Sequence, residues 1–205
     1  METRINTTKD IKLIASILAL TILIASCKQT NKQLLDSAYR LSKEKKYDKA
    51  IEAYNEVIKS NNKLQIAYYN RGFAYLELKE YSKALFDFNK VMALQTHDDV
   101  IITYNKNAPF ADEETSAQVP YNDALYQRAQ VKYLMDSLKS SFIDYQALVD
   151  NNYEEKSNCT LWQGTIYLRS GKEEKACEYF EKAKQFALTD FDRKEADEMM
   201  KTYCK

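Results

Sequence analysis

LQIAYYNRGFAYLELKEYSKALFDFNKVMAL, residues 64–94, reads as two amphipathic helices with a break at Lys79-Glu80. Tyr68, Gly72 and Tyr75 share one face of the first helix. Tyr81, Ala84, Leu85, Phe88 and Val91 form an apolar stripe on the second, at the three-and-four spacing of a 3.6-residue turn. Gly72 and Ala84 have almost no side chain, so the helices can approach closely where they cross, with Tyr75 and Phe88 filling the flanks. Such a pair cannot hide all its apolar surface alone. It needs neighbours of its own kind.

The chain supplies them. KKYDKAIEAYNEVI around Ala50 matches KEYSKALFDFNKVM around Ala84, 34 residues on. A third copy lies 57 residues further, where Arg128-Ala129, Ser141 and Tyr145 answer Arg71-Gly72, Ala84 and Phe88. A fourth carries Gly164, Tyr167, Gly171, Ala176, Phe180 and Ala183 after a step of 35. The offset of 57 exceeds the period by 23, so about that many residues are inserted between copies two and three. With the period of 34, the unit resembles the tetratricopeptide (TPR) repeat: a small residue on the first helix, an Ala opening the second, an aromatic four later. Those places are Ala38, Ala50 and Tyr54 in the first copy and Gly72, Ala84 and Phe88 in the second. The resemblance covers roughly residues 31–187 and implies an all-α, TPR-type α-solenoid of about four helix-turn-helix repeats. Copy three departs from the pattern with Ser141 in the tight Ala place and Lys132 where copy two has Tyr75, so looser packing is expected there.

Composition agrees. Three Gly and two Pro in 205 residues argue for helices throughout. Sixteen Tyr against one Trp suit a solenoid interior, since Tyr buries a ring and keeps its hydroxyl wet. Thirty basic residues balance thirty acidic ones, which leaves no basic field for nucleic acid.

In chain order, residues 1–26 read as a signal peptide, with Arg4, Lys9 and Lys12 ahead of the apolar run Leu13–Ala25. That run is short for a membrane span of about 20 residues. Ile24-Ala25-Ser26-Cys27 resembles the bacterial lipobox, which implies lipid attachment at Cys27 and a membrane held through several acyl chains. The alternative is an uncleaved anchor helix. Lys28 stands where an Asp would resemble an inner-membrane retention signal, so an outer-membrane address is expected. Removing 1–26 takes away three basic and two acidic groups, leaving 27 against 28. Residues 27–33 are expected to be a polar, extended tether, and 34–95 to hold repeats one and two. Residues 96–120 form the insertion, with a β-prone stretch at 100–104, and 121–188 hold repeats three and four. The insertion is either a partner-contacting or groove-covering segment or a surface excursion that the fold tolerates. His97, beside Asp98 and Asp99, has no second His or supporting Cys and reads as a solvated loop histidine, not a metal site. Residues 189–205 are expected to be a capping helix that starts at Thr189 with Asp192 and carries Phe191, Met199 and Tyr203.

Cys159, Cys177 and Cys204 remain, an odd three in an oxidising compartment. On the implied repeat, Cys159 and Cys177 fall at opposite ends of a first helix roughly 20 Å long. Cys204, late in the capping helix, falls beside the start of the preceding second helix, where Cys177 sits. A Cys177–Cys204 bridge is therefore expected, with Cys159 left as a small apolar core residue.

No phosphate-binding Gly loop, nucleophile elbow or metal-spaced His/Cys cluster occurs, and Glu113-Glu114 and Glu173-Glu174 read as solvated charge. No catalysis and no cofactor are expected. The resemblance implies binding: positions 2, 5, 9, 12 and 13 of each TPR repeat face a concave groove. Carried over, they give Leu35, Tyr39 and Lys43; Tyr69, Phe73 and Glu77; Tyr126, Gln130 and Tyr133; and Asn158, Leu161, Thr165 and Arg169. The set lacks the Lys and Asn that resemble a carboxylate clamp. An extended peptide or partner helix held by aromatic anchors is the expected ligand. The alternative is a glycan- or nutrient-capture lipoprotein of an uptake system, against which Trp162 stands as the one Trp.

Overall fold

The computed structural model describes residues 30–95 and 118–204. The expected leader, Cys27, and the stretch 96–117 with His97, Asp98, Asp99 and residues 100–104 lie outside them. The described residues form nine helices: α1 (Asn31–Lys43), α2 (Tyr47–Ser60), α3 (Gln65–Glu77), α4 (Tyr81–Ala93), α5 (Tyr121–Leu134), α6 (Leu138–Asp150), α7 (Lys156–Arg169), α8 (Glu173–Phe186) and α9 (Asp190–Tyr203). Each packs mainly on the next, as α1/α2, α3/α4, α5/α6 and α7/α8 hairpins stacked in sequence, with α9 closing on α8. The expected all-α solenoid of four repeats and a terminal helix is what the described residues adopt.

The period is visible in the core. Ala50, Ala84, Ser141 and Ala176, at one place of the second helices, are all fully buried, and so are Tyr54, Phe88, Tyr145 and Phe180 one turn later. Opposite them on the first helices stand Ala38, Gly72, Ala129 and Gly164. A methyl on Gly72 would come within 3.0 Å of the Phe88 ring, and one on Gly164 would overlap the Phe180 ring and reach the Ala176 carbonyl oxygen at 3.2 Å. The small residues mark close crossings at equivalent places.

The hairpin turns repeat as well. Lys45, Lys79, Asp136 and Gly171 all have φ between 58° and 71° at the same place in the four copies. After each, an N–H reaches back to the first helix: Lys46 to Leu41 O, Glu80 to Tyr75 O, Ser137 to Lys132 O and Lys172 to Tyr167 O, at 2.8–2.9 Å. This is the left-handed closure of a helix end, which Gly serves best. Only copy four has it. The extra residue between copies three and four is also explained: Asn152 adds a further left-handed turn, closed by Tyr153 N–H on Leu148 O.

Four expectations change. The tether ends early, because the Thr30 hydroxyl accepts from Gln33 N–H while Thr30 N–H donates to Gln33 Oε1, and this capping box starts α1 at Asn31. Copy three is not loose: the Ser141 hydroxyl is fully buried and donates to Ala129 O at 2.7 Å, and Lys132 pairs with Asp144 at 2.7 Å. In the capping helix, Phe191 and Tyr203 stay 68% and 47% exposed. Met199 makes the expected contact, and Ala196 and Met200 join it against Phe180 and Ala183. The insertion also ends before residue 120. Val119 is buried against Val91 and Ala124, its N–H donates to Gln65 Oε1 at 3.0 Å, and Gln65 Nε2 donates to Leu94 O at 3.2 Å. One glutamine thus pins both ends of the inserted stretch together, and the stack continues past it.

Cys177 and Cys204 are joined, with Cα atoms 5.7 Å apart. Cys159 is free and fully buried, and burial pushes its thiol up to about 12.

Candidate functional site

The groove residues read from the repeat positions divide into two groups. Tyr39 and Lys43 on α1 face Tyr69, Phe73 and Glu77 on α3 across a hollow of about 390 Å³, completed by Ser42, Tyr47, Tyr54, Asn70, Ala74 and Asp123. That volume suits one or two side chains of a bound chain. Its floor is a cluster of rings in edge contact: Tyr69 and Phe73 lie 4.9 Å apart, and both meet the buried Phe88, at 5.8 and 5.6 Å. Phe73 and Tyr69 are therefore braced by the core where they line the hollow. Around it, Lys43 Nζ lies over the Tyr39 ring at 5.2 Å. Tyr47 Oη donates to Glu77 Oε2 at 3.1 Å, and Tyr153 Oη donates to Asp123 Oδ1 at 2.8 Å. Burial first, and then the neighbouring carboxylate, hold both phenols above their ordinary range, so each remains a donor.

The second group lies elsewhere. Tyr126 is buried, donates to Asn158 Oδ1 at 2.6 Å, and has Trp162 and Gln130 as further hydrogen-bonding neighbours; burial pushes its phenol up to about 12. Trp162 lies parallel to Tyr145 and edge-on to Tyr133, with centroids 6.1 and 5.1 Å away. Arg169 covers the outer face of Tyr133 at 4.9 Å, pairs with Asp136 at 3.1 Å and donates to Tyr133 O. Leu161 packs on the Phe180 cluster, Leu35 packs between the first two repeats, and the Thr165 hydroxyl turns back to Leu161 O. Tyr126 is thus buried and Gln130 and Tyr133 are half-buried among these contacts, away from the hollow, while Arg169 stays exposed at the edge.

Asp123 and Ser42 occupy repeat positions 2 and 12, so the rule that found their neighbours would have found them. Tyr47 comes from the start of a second helix, which no first-helix rule reaches. A buried polar ladder also went unread. Arg71 donates through Nε and Nη2 to Asp87 at 2.8 and 2.6 Å and through Nη1 to Asn55 of the preceding repeat at 2.6 Å. Arg128 repeats the pattern on Asp144 at 2.8 and 2.7 Å and on Asn89 at 3.2 Å, and Gln163 meets Gln146 at the next step. Asp87 is fully buried, and burial pushes its carboxyl up against the pull of the guanidinium. The ladder ties each repeat to the next, joining α2 to α3, α4 to α5 and α6 to α7.

Family models described as "Tetratricopeptide repeat" match residues 66–97 and 161–190, and one described as "TPR repeat" matches 38–79. No curated protein matches the chain in sequence. Among solved structures, YrrB, described as a TPR protein with an unusual peptide-binding site, is 16% identical with a TM-score of 0.57, over 89% of this chain and 84% of that one. MamA from Desulfovibrio magneticus RS-1 is 16% identical with a TM-score of 0.58, over 84% and 92%. The first TPR of Spaghetti (RPAP3), bound to the HSP90 peptide SRMEEVD, is 20% identical with a TM-score of 0.51, over 69% and 93%. At these identities the likeness is one of fold.

Proposed function

We propose that this chain, whose hairpins are tetratricopeptide repeats, is a non-enzymatic docking protein that holds a protein or peptide partner at the bacterial envelope. The observation that carries the reading is the hollow between α1 and α3, ringed by Tyr39, Tyr69 and Phe73. Aromatic anchors braced from behind lose little entropy on contact and supply most of an interface's energy. Two of the proteins with this fold, YrrB and RPAP3, are described with peptide sites or peptides, which supports the same use here. The near-neutral charge argues against nucleic acid.

The envelope address rests on the leader and on Cys27, which carries the lipid in this reading. Because Thr30 already caps α1, Lys28 to Thr30 are the only residues between the anchor and the first helix. Three extended residues reach at most about 10 Å. The first repeat, which bears half of the hollow, then lies at the outer-membrane surface, and the partner is met there.

Retention of proteins from solubilised envelopes by the wild-type chain and by a Tyr39→Ala/Phe73→Leu variant tests the docking role. A protein kept by the first and lost by the second, with helix content unchanged, is expected. Oligosaccharides retained on an array with no protein partner would replace docking with glycan capture. Incorporation of an alkyne fatty acid, abolished by Cys27→Ser, tests the anchor.

A further inference from the structure

We infer that the edge of the solenoid at which the first helices begin rests on the lipid bilayer, with Leu188 and Phe191 entering the bilayer interface. This rests on the lipid anchor proposed above and gives the chain a second point of contact. Each hairpin brings the start of its first helix and the end of its second helix to the same edge. Ser60 at the end of α2 donates to Asn31 Oδ1 on α1, and Gln65 on α3 donates to Leu94 O after α4. Asn151 after α6 donates to Asn122 Oδ1 on α5 at 3.1 Å, and Ser157 on α7 donates to Ala183 O on α8 at 2.8 Å. Thr30 opens this edge, with Cys27 only three residues before it, and the turn from α8 into α9 closes it.

That closing turn presents two large apolar side chains within four residues, Leu188 at 80% and Phe191 at 68% exposure. The fold uses neither. The Thr189–Asp192 capping box fixes the turn, with both of its bonds at 3.1 Å. Such a box is often joined by a staple between the apolar residue before the cap and one four places into the helix. Leu188 precedes the cap, but the fourth place is the exposed Arg193, so the staple has no second half. Phe191 is likewise absent from the face of α9 that meets α8, which Ala196, Met199 and Met200 supply. Apolar side chains set on a fixed turn are what a bilayer interface takes up, and the anchor already brings this edge to lipid. Asp190 and Asp192 are offset by Arg193 and Lys194, so no net charge opposes the approach. At the anchor end of the edge, Lys32, Lys59 and Lys63 are exposed and make no ion pair among the described residues, which suits anionic headgroups. The hairpin turns at Lys45, Lys79, Asp136 and Gly171 then lie on the edge away from the lipid.

The test uses the full chain reconstituted in nanodiscs of phosphatidylethanolamine and phosphatidylglycerol. A nitroxide is placed by Leu188→Cys, Phe191→Cys, Met135→Cys or Phe86→Cys, one at a time. Cys177 and Cys204 are joined, Cys159 is buried and Cys27 is acylated in this reading, so the label goes to the introduced thiol. Power-saturation resonance compares collisions with oxygen, which concentrates in lipid, and with a nickel chelate, which stays in water. The oxygen-to-chelate ratio should be severalfold higher at 188 and 191 than at 135, in a hairpin turn, and at 86, on the outer face of α4. Helix content read by circular dichroism confirms that each variant is folded. Water-like ratios at all four positions of disc-bound chain, or lipid contact at 135 or 86 alone, overturn the resting edge and leave the anchor standing. Labels at 188 and 191 shielded from both collision partners mark a protein contact and overturn it as well. A chain that does not stay with the discs, or whose Cys27 takes the label, overturns the anchor and this inference together.

Discussion

Gly164→Ala puts the repeat architecture to a test in which two effects of opposite sign compete. Alanine in place of glycine within a helix favours folding by about 1 kcal/mol. At Gly164, however, the added methyl would overlap Phe180 Cε1 and lie within 2.7 Å of Cδ1, with the Ala176 carbonyl oxygen at 3.2 Å on its other side. Phe180 is fully buried and the carbonyl is backbone, so neither yields without moving a helix. Overpacking of this kind costs about 1–3 kcal/mol, and the two-sided contact puts Gly164 at the upper end. The net result is a loss of about 2 kcal/mol. At Gly72 the nearest atoms are the Phe88 ring at 3.0 Å and Asp87 Cβ at 3.4 Å, so the same substitution there falls near zero. Urea unfolding with the disulfide intact reads the difference. With an m-value of about 2 kcal/mol/M, Gly164→Ala lowers the midpoint by roughly 1 M, while Gly72→Ala moves it little. Adding Phe180→Leu to Gly164→Ala should recover at least about 1 kcal/mol of coupling. A higher midpoint for Gly164→Ala, or no coupling to Phe180, would refute the close crossing.

The Tyr145 hydroxyl is buried without a hydrogen-bond partner among the described residues, and Phe88 and Phe180 hold the equivalent places. Tyr145→Phe is therefore expected to raise stability by about 1 kcal/mol in the same unfolding assay. Arg71→Ala leaves a fully buried Asp87 unpaired and should cost about 3–5 kcal/mol, whereas Arg71→Met with Asp87→Leu should cost much less. Reducing Cys177–Cys204, whose partners are 27 residues apart, should lower stability by about 3–4 kcal/mol, and hydrogen exchange should rise first in α9. Tyr126, whose folded pKa is raised from 10 to about 12, holds its proton better folded than unfolded. Its contribution is complete below pH 10 and is lost as pH rises through 12, so melting temperatures should fall across that window, and less steeply in Tyr126→Phe.

The repeats were legible because their constraints are steric and local. Gly72, Ala84, Gly164 and Ala176 are small where helices cross, and Phe88 and Phe180 recur one turn after the alanines, so type and spacing state the crossing. The hairpin turns were less visible: Lys45, Lys79 and Asp136 take the left-handed conformation without the glycine that signals it. The Arg71–Asp87–Asn55 ladder joins three helices, and no single helical face contains it. The candidate site was half legible. Repeat positions located Tyr39, Lys43, Tyr69, Phe73 and Glu77, but the same rule placed Tyr126 and Tyr133 in an open groove. Those rings are engaged with their neighbours instead, Tyr133 edge-on to Trp162, which stacks on Tyr145, and Tyr126 in edge contact with Tyr145. Apolarity alone points to Phe191 as a capping contact, although Ala196, Met199 and Met200 occupy the face that meets α8.

The most direct measurement is photo-crosslinking in intact cells, with a benzophenone amino acid replacing Tyr39, Tyr133 or Phe86 one at a time. Tyr39 borders the hollow, Tyr133 lies under Arg169, and Phe86 is 63% exposed on α4. A defined protein adduct from Tyr39, absent from the other two, is predicted. Adducts from Phe86 or Tyr133 with none from Tyr39 would contradict a partner seated between α1 and α3.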